Sequence, residues 1–306
     1  EWHMPAIIPT SEGRDYVLDN GGCWRAISLV PDADAPDRVC NREHAFQVGV
    51  AMGRFQQLLH DLPPQRLADT LEGFHITPRY LAQLDAVLAE KEGADRVNSQ
   101  PLARELIEYI RRRRDRATRL EEARRRGWLP DRPVHGDPKV ANVMISRRTG
   151  RAVAMIDLDT SKPGLVHYDF GDCVRSTCNP AGEEPPQARE ARLDLDLLAA
   201  VTQGYLCHAG DFLTDADHAF LGESVWTITF ELSVRFYCDY VGGNRYFKVR
   251  DPLHNLRRAN VQRHLCENIE QQEAAILRTL DRCRARQAAH PPQETAKPHA
   301  CARCSA

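Results

Sequence analysis

Apolar residues at Val48, Met52, Phe55, Leu59 and Leu62 recur at steps of four, three, four and three. That period puts them on one face of a helix that starts near Arg42 and stops at Pro63-Pro64. The same reading predicts helices over 78–91 and 101–126, the latter closed by Gly127 and Pro130, and again over 189–209, 214–241 and 253–286. Residues 132–160 differ: short apolar bursts at Val143–Ile145 and Ala152–Ile156 flank "SRRTGR", whose Thr149-Gly150 suits a hairpin loop. At the chain start, "PAIIP" and "RDYVLDNGGCWRAISLV" read as extended, with turn chemistry at Asp19, Asn20, Gly21 and Gly22. This is a hairpin without the sheet it should belong to. "PDADAPD" reads as a linker, and residues 287–306 have too little to bury and are expected to be disordered.

Composition narrows the function classes. With 306 residues, 42% of them hydrophobic, the chain can bury one large core or two ordinary ones, and no apolar run reaches the roughly 18 residues of a membrane span. Lys plus Arg number 41 against 43 for Asp plus Glu, so the net charge of -2 provides no general attraction to nucleic acid or membrane. The densest basic run, Arg111–Arg114, is interrupted by Asp115, Glu121 and Glu122 at helical spacing and reads as a solvated helix face. Ten scattered cysteines without a secretory signal point to free thiols and a cytoplasmic setting. Cys301 and Cys304 form a C-x-x-C near His299, but no second ligand pair completes a zinc site.

The chemistry concentrates in "PVHGDPKVANVMI" and "AMIDLDT". Asp137 lies on a loop, Asn142 follows five residues later at the mouth of a strand, and Asp157 ends the next strand. One hairpin therefore carries two carboxylates and a carboxamide at one end. Phosphoryl transfer needs such a set: a carboxylate to orient a hydroxyl and take its proton, and hard oxygen donors for magnesium. D-x-x-x-x-N is the catalytic-loop spacing of protein kinases, where the metal-binding Asp follows one hairpin later. Asp157 meets that condition. Asp169, in the kinase-like letters "DFG", comes 32 residues after Asp137 and does not; "DFGD" is expected to begin a helix, with Asp172 and Arg175 paired one turn apart.

These residues resemble the aminoglycoside phosphotransferase and choline kinase superfamily. Longer stretches, "PTSEGRDYVLDNGGCWR", "GRFQQLLHDL", "FHITPRY", "HGDPKVANV", "IDLDTSKPGLVHYDFGD", "FELSVRFYCDY" and "GNRYFKVRDPLHNLRRANVQ", resemble N-acetylhexosamine 1-kinases up to about residue 275. The resemblance implies an α/β (α+β) protein-kinase-like fold of two lobes, the first truncated and the second mainly helical. It implies ATP-dependent phosphorylation, with Mg2+, of the anomeric hydroxyl of N-acetylglucosamine or N-acetylgalactosamine. Asp137 would be the base, and Asn142 and Asp157 would hold the metal. Lys139, Arg235, Tyr246 and Asp159 would line the sugar site, although Arg235 also has Glu231 one turn away as a structural partner and Tyr246 has a simple packing role open to it. His75 and Arg79 would reach the substrate or brace the long helices. The alternatives are a kinase for another small alcohol, such as an aminoglycoside or amino alcohol, and an inert lobe that binds sugar or protein.

The pattern departs from the family at its start. Residues 1–33 correspond to the last strands and hinge of the first lobe, where the backbone at Leu29 and Val30 would take adenine, and 34–286 to the second lobe with its hairpin at 132–160. Strands carrying the phosphate loop and its lysine are expected ahead of these, and the only lysine before Asp137 is Lys91, in a charged helical segment. With Glu1 rather than Met at the start, the chain is expected to be N-terminally incomplete, and an ATP site built from this remnant alone is expected to be weak.

Overall fold

A computed structural model describes residues 2–289. The N-terminal residues make small, exposed strands: β1 (Ile7–Ile8), β2 (Val17–Asp19), β3 (Gly22–Trp24) and β4 (Ala26–Ile27). β2 and β3 form the hairpin expected around Asn20-Gly21, and β1 pairs antiparallel with β4 as a separate two-stranded ladder. The next strand, β5 (Ala33–Asp34), corrects the linker reading. It lies antiparallel on the hairpin strand at Ile145–Ser146, and Arg147 ties down Asp34 through Nε and Nη2 at 2.9 and 2.6 Å. The segment expected to be a linker is thus stitched onto the hairpin.

The helical body begins with α1 (Arg42–Leu59), whose start is set by the Asn41 side chain accepting the His44 N–H at 2.8 Å. Next come α2 (Thr77–Ala89), α3 (Lys91–Ser99), α4 (Pro101–Arg111) and α5 (Arg119–Arg125). Strands β6 (Arg132–Val134), β7 (Val143–Ser146), β8 (Ala152–Met155) and β9 (Lys162–Gly164) precede α6 (Val166–Thr177), and α7 (Leu195–Ala209), α8 (Asp215–Val241), α9 (His254–Gln271) and α10 (Glu273–Ala289) complete the described chain. α8 is the central element. Thr214 and Asp217 form a reciprocal capping box at its start, and Trp226, Phe230, Val234 and Tyr237 along it are fully buried. The stripe on α1 is core as predicted, with Val48, Met52 and Phe55 buried. Close approach of α1 and α7 depends on small residues: a Cβ on Gly204 would stand 2.0 Å from the Phe46 carbonyl oxygen, and one on Gly49 2.0 Å from that of Val201.

Three helix predictions change. The 189–209 helix starts only at Leu195, because Asp194 caps it by accepting the N–H groups of Asp196 and Leu197. The 253–286 helix breaks at Gln272, whose side chain donates to the Leu193 carbonyl and Asn268 Oδ1, and its second part runs on to Ala289, three residues into the stretch expected to be disordered. The remainder of that stretch, with Cys301 and Cys304, lies outside the described residues.

The 101–126 helix breaks after Arg111, and this corrects the reading of its arginines beyond Arg112. Arg113 reaches Glu270 with two nitrogens at 2.7 Å, Arg114 pairs with Asp85, and Arg116 bonds Glu223 and Glu273 while lying over the Trp226 ring. These three side chains clamp α2, α8, α9 and α10 together, whereas Arg111 and Arg112 are exposed as expected of a solvated face, Arg111 pairing with Glu108 one turn back. A continuous helix would have sent them outward at fixed angles; the break lets each find a carboxylate.

Among the described residues no two cysteines are joined as a disulfide, and no helix is long and apolar enough to cross a membrane.

Candidate active site

The loop between β6 and β7, His135 to Asn142, is held by the residues the kinase-like letters pointed to, in a role the letters did not suggest. Asp169, fully buried in the first turn of α6, accepts the backbone N–H of His135 and of Gly136, each at 2.9 Å, and the Gln56 amide at 2.9 Å. Burial drives its pKa up, and the His135 ring and these three N–H donors only partly oppose that rise. Asp169 is therefore an anchor for the loop backbone. The expected Asp172–Arg175 pair also forms, at 2.8 Å, with both side chains nearly buried.

The loop geometry follows from its composition. Gly136 has φ +86°, and a Cβ there would sit 2.6 Å from the Thr160 carbonyl oxygen, so no other residue fits without moving the chain. His135 accepts the Asp137 N–H on Nδ1 at 3.2 Å and faces the Ile156 carbonyl with Nε2 at 3.0 Å, which selects the Nε2–H tautomer. Thr160 closes the far side by donating its hydroxyl to the His135 carbonyl at 2.8 Å.

On this frame Asp137, Lys139 and Asn142 come together. Lys139 Nζ lies 2.5 Å from Asp137 Oδ2, and Asn142 Nδ2 donates to the Asp137 carbonyl at 2.8 Å and to its Oδ2 at 3.2 Å. Burial works against the Lys139 ammonium, but the Asp137 hydrogen bond and the charges of Asp137, Asp172 and Asp157 outweigh it and raise its pKa. Lys139 is a cation in place.

Asp157 reaches the same end through the β-ladder. Val143 pairs with Met155, and one residue beyond, the Asn142 carbonyl accepts the Ile156 N–H at 3.0 Å, so Asp157 is the first residue past the last rung. It turns away in the left-handed region, φ +64°, an uncommon conformation for a non-glycine residue that often marks a functional position. Asn142 spends its amide nitrogen on Asp137, which leaves its Oδ1 as an oxygen donor at the hairpin end that Asp157 also occupies. This is the hard-oxygen chemistry magnesium takes, and magnesium needs only one or two protein carboxylates when phosphates complete its shell. The donor set fits that ion.

The other sequence-predicted residues lie around this centre. Asp159 is taken by the Arg25 guanidinium from the N-terminal strands, while its main-chain carbonyl accepts the Thr70 hydroxyl at 2.7 Å. Val30 is buried with Ala33, Met144 and Ala154 against the hairpin, whereas Leu29 is 87% exposed. Among the described residues, no hydrogen bond or ion pair joins Arg235 or Tyr246 to Asp137. Arg235 instead lies against three rings, Phe74, Tyr80 and Phe247, at 4.9, 5.2 and 5.6 Å. Its anticipated partner Glu231 is engaged elsewhere, with His75 and Thr77. Tyr246 is mostly exposed, packs edge-on against Phe247 and has its N–H fixed by Asp239 at 2.9 Å. Arg79 pairs with Glu72 at the surface, and His75 braces the loop.

Gln56, Glu231 and Arg25 were not legible as site residues. Gln56 sits on the core face of α1 and Glu231 on α8, and only packing shows what their polar ends meet.

The family model described as phosphotransferase enzyme family matches residues 3–205. Among solved structures, an aminoglycoside phosphotransferase from Alicyclobacillus acidocaldarius superposes with a TM-score of 0.62 at 15% identity, covering 91% of this chain and 78% of that one. A microcompartment-associated aminopropanol kinase gives 0.56 at 17% identity over 90% and 77% of the two chains. A Plasmodium vivax ethanolamine kinase gives 0.51 at 14% identity over 84% and 67%. These likenesses establish the mixed α/β, kinase-like fold.

Proposed function

Because the chain belongs to the phosphotransferase enzyme family, we propose that it moves the γ-phosphoryl group of ATP to the anomeric hydroxyl of an N-acetylhexosamine, N-acetylglucosamine or N-acetylgalactosamine. The observation that carries this reading is the junction of Asp137, Lys139 and Asn142 at one end of the β7–β8 hairpin, with Asp157 just beyond the last rung.

Asp137 Oδ2, held by Asn142 and facing Lys139, orients the acceptor hydroxyl and takes its proton as the O–P bond forms. An anomeric hydroxyl is more acidic than an ordinary alcohol because the ring oxygen withdraws electron density, so an ordinary carboxylate suffices as base. Lys139 balances the negative charge that gathers between acceptor and phosphoryl group. Asn142 Oδ1 and Asp157 would hold magnesium, which would supply positive charge against the phosphates of ATP. The backbone at Leu29 and Val30, where the chain crosses to β5, would take the adenine edge.

On this reading Arg235 and Tyr246 line the acceptor side, which then favours a neutral sugar over an amine. Arg235 is fixed among Phe74, Tyr80 and Phe247, with exposed Tyr246 beside Phe247. A guanidinium in that place repels cationic acceptors, and aromatic rings suit the apolar face of a pyranose.

Turnover is measured with ATP and Mg2+ against both N-acetylhexosamines, an aminoglycoside and ethanolamine, on this chain and on one extended upstream. Sugar 1-phosphate from the N-acetylhexosamines, lost at least 1000-fold in Asp137→Asn, is the expected result. Preference for an amine-bearing acceptor, or full activity in Asp137→Asn, overturns it.

A further inference from the structure

His75 is buried and about 60 residues before the catalytic loop in sequence, yet its ring lies directly on that loop. Nε2 is 2.7 Å from the Gly136 carbonyl oxygen and Nδ1 is 3.0 Å from Glu231 Oε1. A backbone carbonyl can only accept. Glu231 is itself 1% exposed and accepts the Thr77 hydroxyl on its other oxygen at 2.9 Å, so it too serves as an acceptor. Two acceptors on two ring nitrogens call for a proton on each.

We propose that His75 is a positioning residue, a buried imidazolium that bridges Glu231 to the Gly136 carbonyl and thereby sets the place of Asp137. The inference rests on Asp137 being the base. It explains three features that loop closure alone does not require. First, His75 adopts φ +63°, a conformation bulky side chains seldom hold, directly after Phe74 and within a turn that also contains Gly73 at φ +81°. Second, Glu231 would be an isolated carboxylate in the middle of α8 without a cation, at a high desolvation cost. Third, the Gly136 residue is gripped at both ends, its N–H by Asp169 and its C=O by His75, which leaves the attached Asp137 little freedom.

The groups around the ring support the charged form. Burial opposes it, but the Glu231 charge and hydrogen bond, the Asp172 charge and the Gly136 carbonyl together raise the His75 pKa. Asp172 reaches it from α6, along with the Tyr168 ring at 5.6 Å, and the Phe74 ring lies at 3.9 Å. Tyr80 faces the His75 backbone from α2, and Asp137 and Lys139 follow Gly136 on the loop itself. Arg175 pairs with Asp172 and tempers its pull, so Glu231 is the group that decides the charge.

The test uses the full chain. In 15N-histidine-labelled protein, the His75 ring is expected to keep two N–H groups from pH 6 to 8, and in Glu231→Gln to show only one at pH 7, because burial then acts on the ring without its counter-charge. Turnover of Glu231→Gln at pH 7 should lie 10-fold or more below that of the unaltered protein. His75→Gln, which can donate to Gly136 but not bridge both partners, should lower kcat 10- to 100-fold with acceptor KM within about two-fold. A single ring N–H at pH 7, or unchanged kcat in folded His75→Gln, overturns the proposal. Ring protonation is read without turnover, so its result is distinguishable from failure of the Asp137 assignment. If His75→Gln does not fold, Glu231→Gln decides: two ring N–H groups retained on His75 at pH 7 in that variant count against the bridge.

Discussion

The carboxylate of Asp169 holds the backbone N–H of Gly136 at 2.9 Å, and with it the loop that carries Asp137. One oxygen takes Gly136, and the other takes His135 and the Gln56 amide. A residue whose surrounding letters suggest a metal ligand thus acts through the backbone of the residue next to Asp137.

Asp169→Ala should leave two buried backbone N–H groups and the Gln56 amide without acceptors. Leaving buried polar groups unpaired costs about 1–3 kcal/mol each when no water replaces the partner, so a loss of about 3 kcal/mol in urea unfolding is expected, with turnover falling more than 100-fold in the fraction still folded. Asp169→Asn keeps the shape and one acceptor oxygen, and should retain more of both. Equal stability of Asp169→Ala and the unaltered protein would show that the anchor contributes nothing.

Lys139→Met should preserve the fold, because the Lys139 head group is partly exposed and its close contact is to Asp137. Without the ammonium, Asp137 keeps its Asn142 bonds but loses its nearest positive charge. A kcat reduced about 100-fold, with melting temperature within a few degrees, is the expected outcome in steady-state kinetics and calorimetry. Partial recovery in Lys139→Arg would be small, since a planar fork does not reproduce a compact ammonium.

Acid should destabilise the protein through His167 as well as through its carboxylates. This ring is fully buried on α6, Nε2 meets the Asp217 carbonyl at 2.9 Å, and burial pushes its pKa down to about 4. Between the unfolded value near 6.5 and the folded value the unfolded chain binds more protons, so stability falls as pH drops through that window. The contribution is at most about 3 kcal/mol from this group. Urea midpoints between pH 7 and 4.5 should fall less steeply in His167→Gln than in the unaltered protein; identical slopes would exclude the ring as the source.

Gly204→Ala tests the α1–α7 contact. The added methyl meets the Phe46 carbonyl oxygen at 2.0 Å and the Val50 nitrogen at 2.8 Å, both backbone, so one helix must move. Overpacking on this scale costs about 3 kcal/mol. Since α1 also supplies Gln56 to Asp169, turnover should fall along with the melting temperature.

How far the chain could be read on its own depended on the distance over which each feature is determined. The hairpin at 132–160 was legible because Asp137, Asn142 and Asp157 are brought together by one turn and a two-stranded ladder, where the spacing alone gives the geometry. The core stripe of α1 was legible because burial of one face needs only the helical period. The 101–126 helix was misread because Arg113 and Arg116 find Glu270, Glu223 and Glu273 more than one hundred residues away, and those pairs favour a break that local propensity does not encode. The linker reading of "PDADAPD" failed for a similar reason: Ala33 and Asp34 have weak strand character until β7 offers an open edge.

By itself, the order of residues determined the spacing of Asp137, Asn142 and Asp157, the succession of helices around one hairpin and the place of Asp169 in a helix off that hairpin, all consequences of short-range periodicity and turn chemistry. Tertiary packing alone decided which buried charges meet. Asp169 closes on Gly136, His75 lies between Gly136 and Glu231, and Arg235 turns from Glu231 to a wall of aromatic rings. A buried charge must find a partner wherever the folded chain places one, and that choice is made across space rather than along sequence.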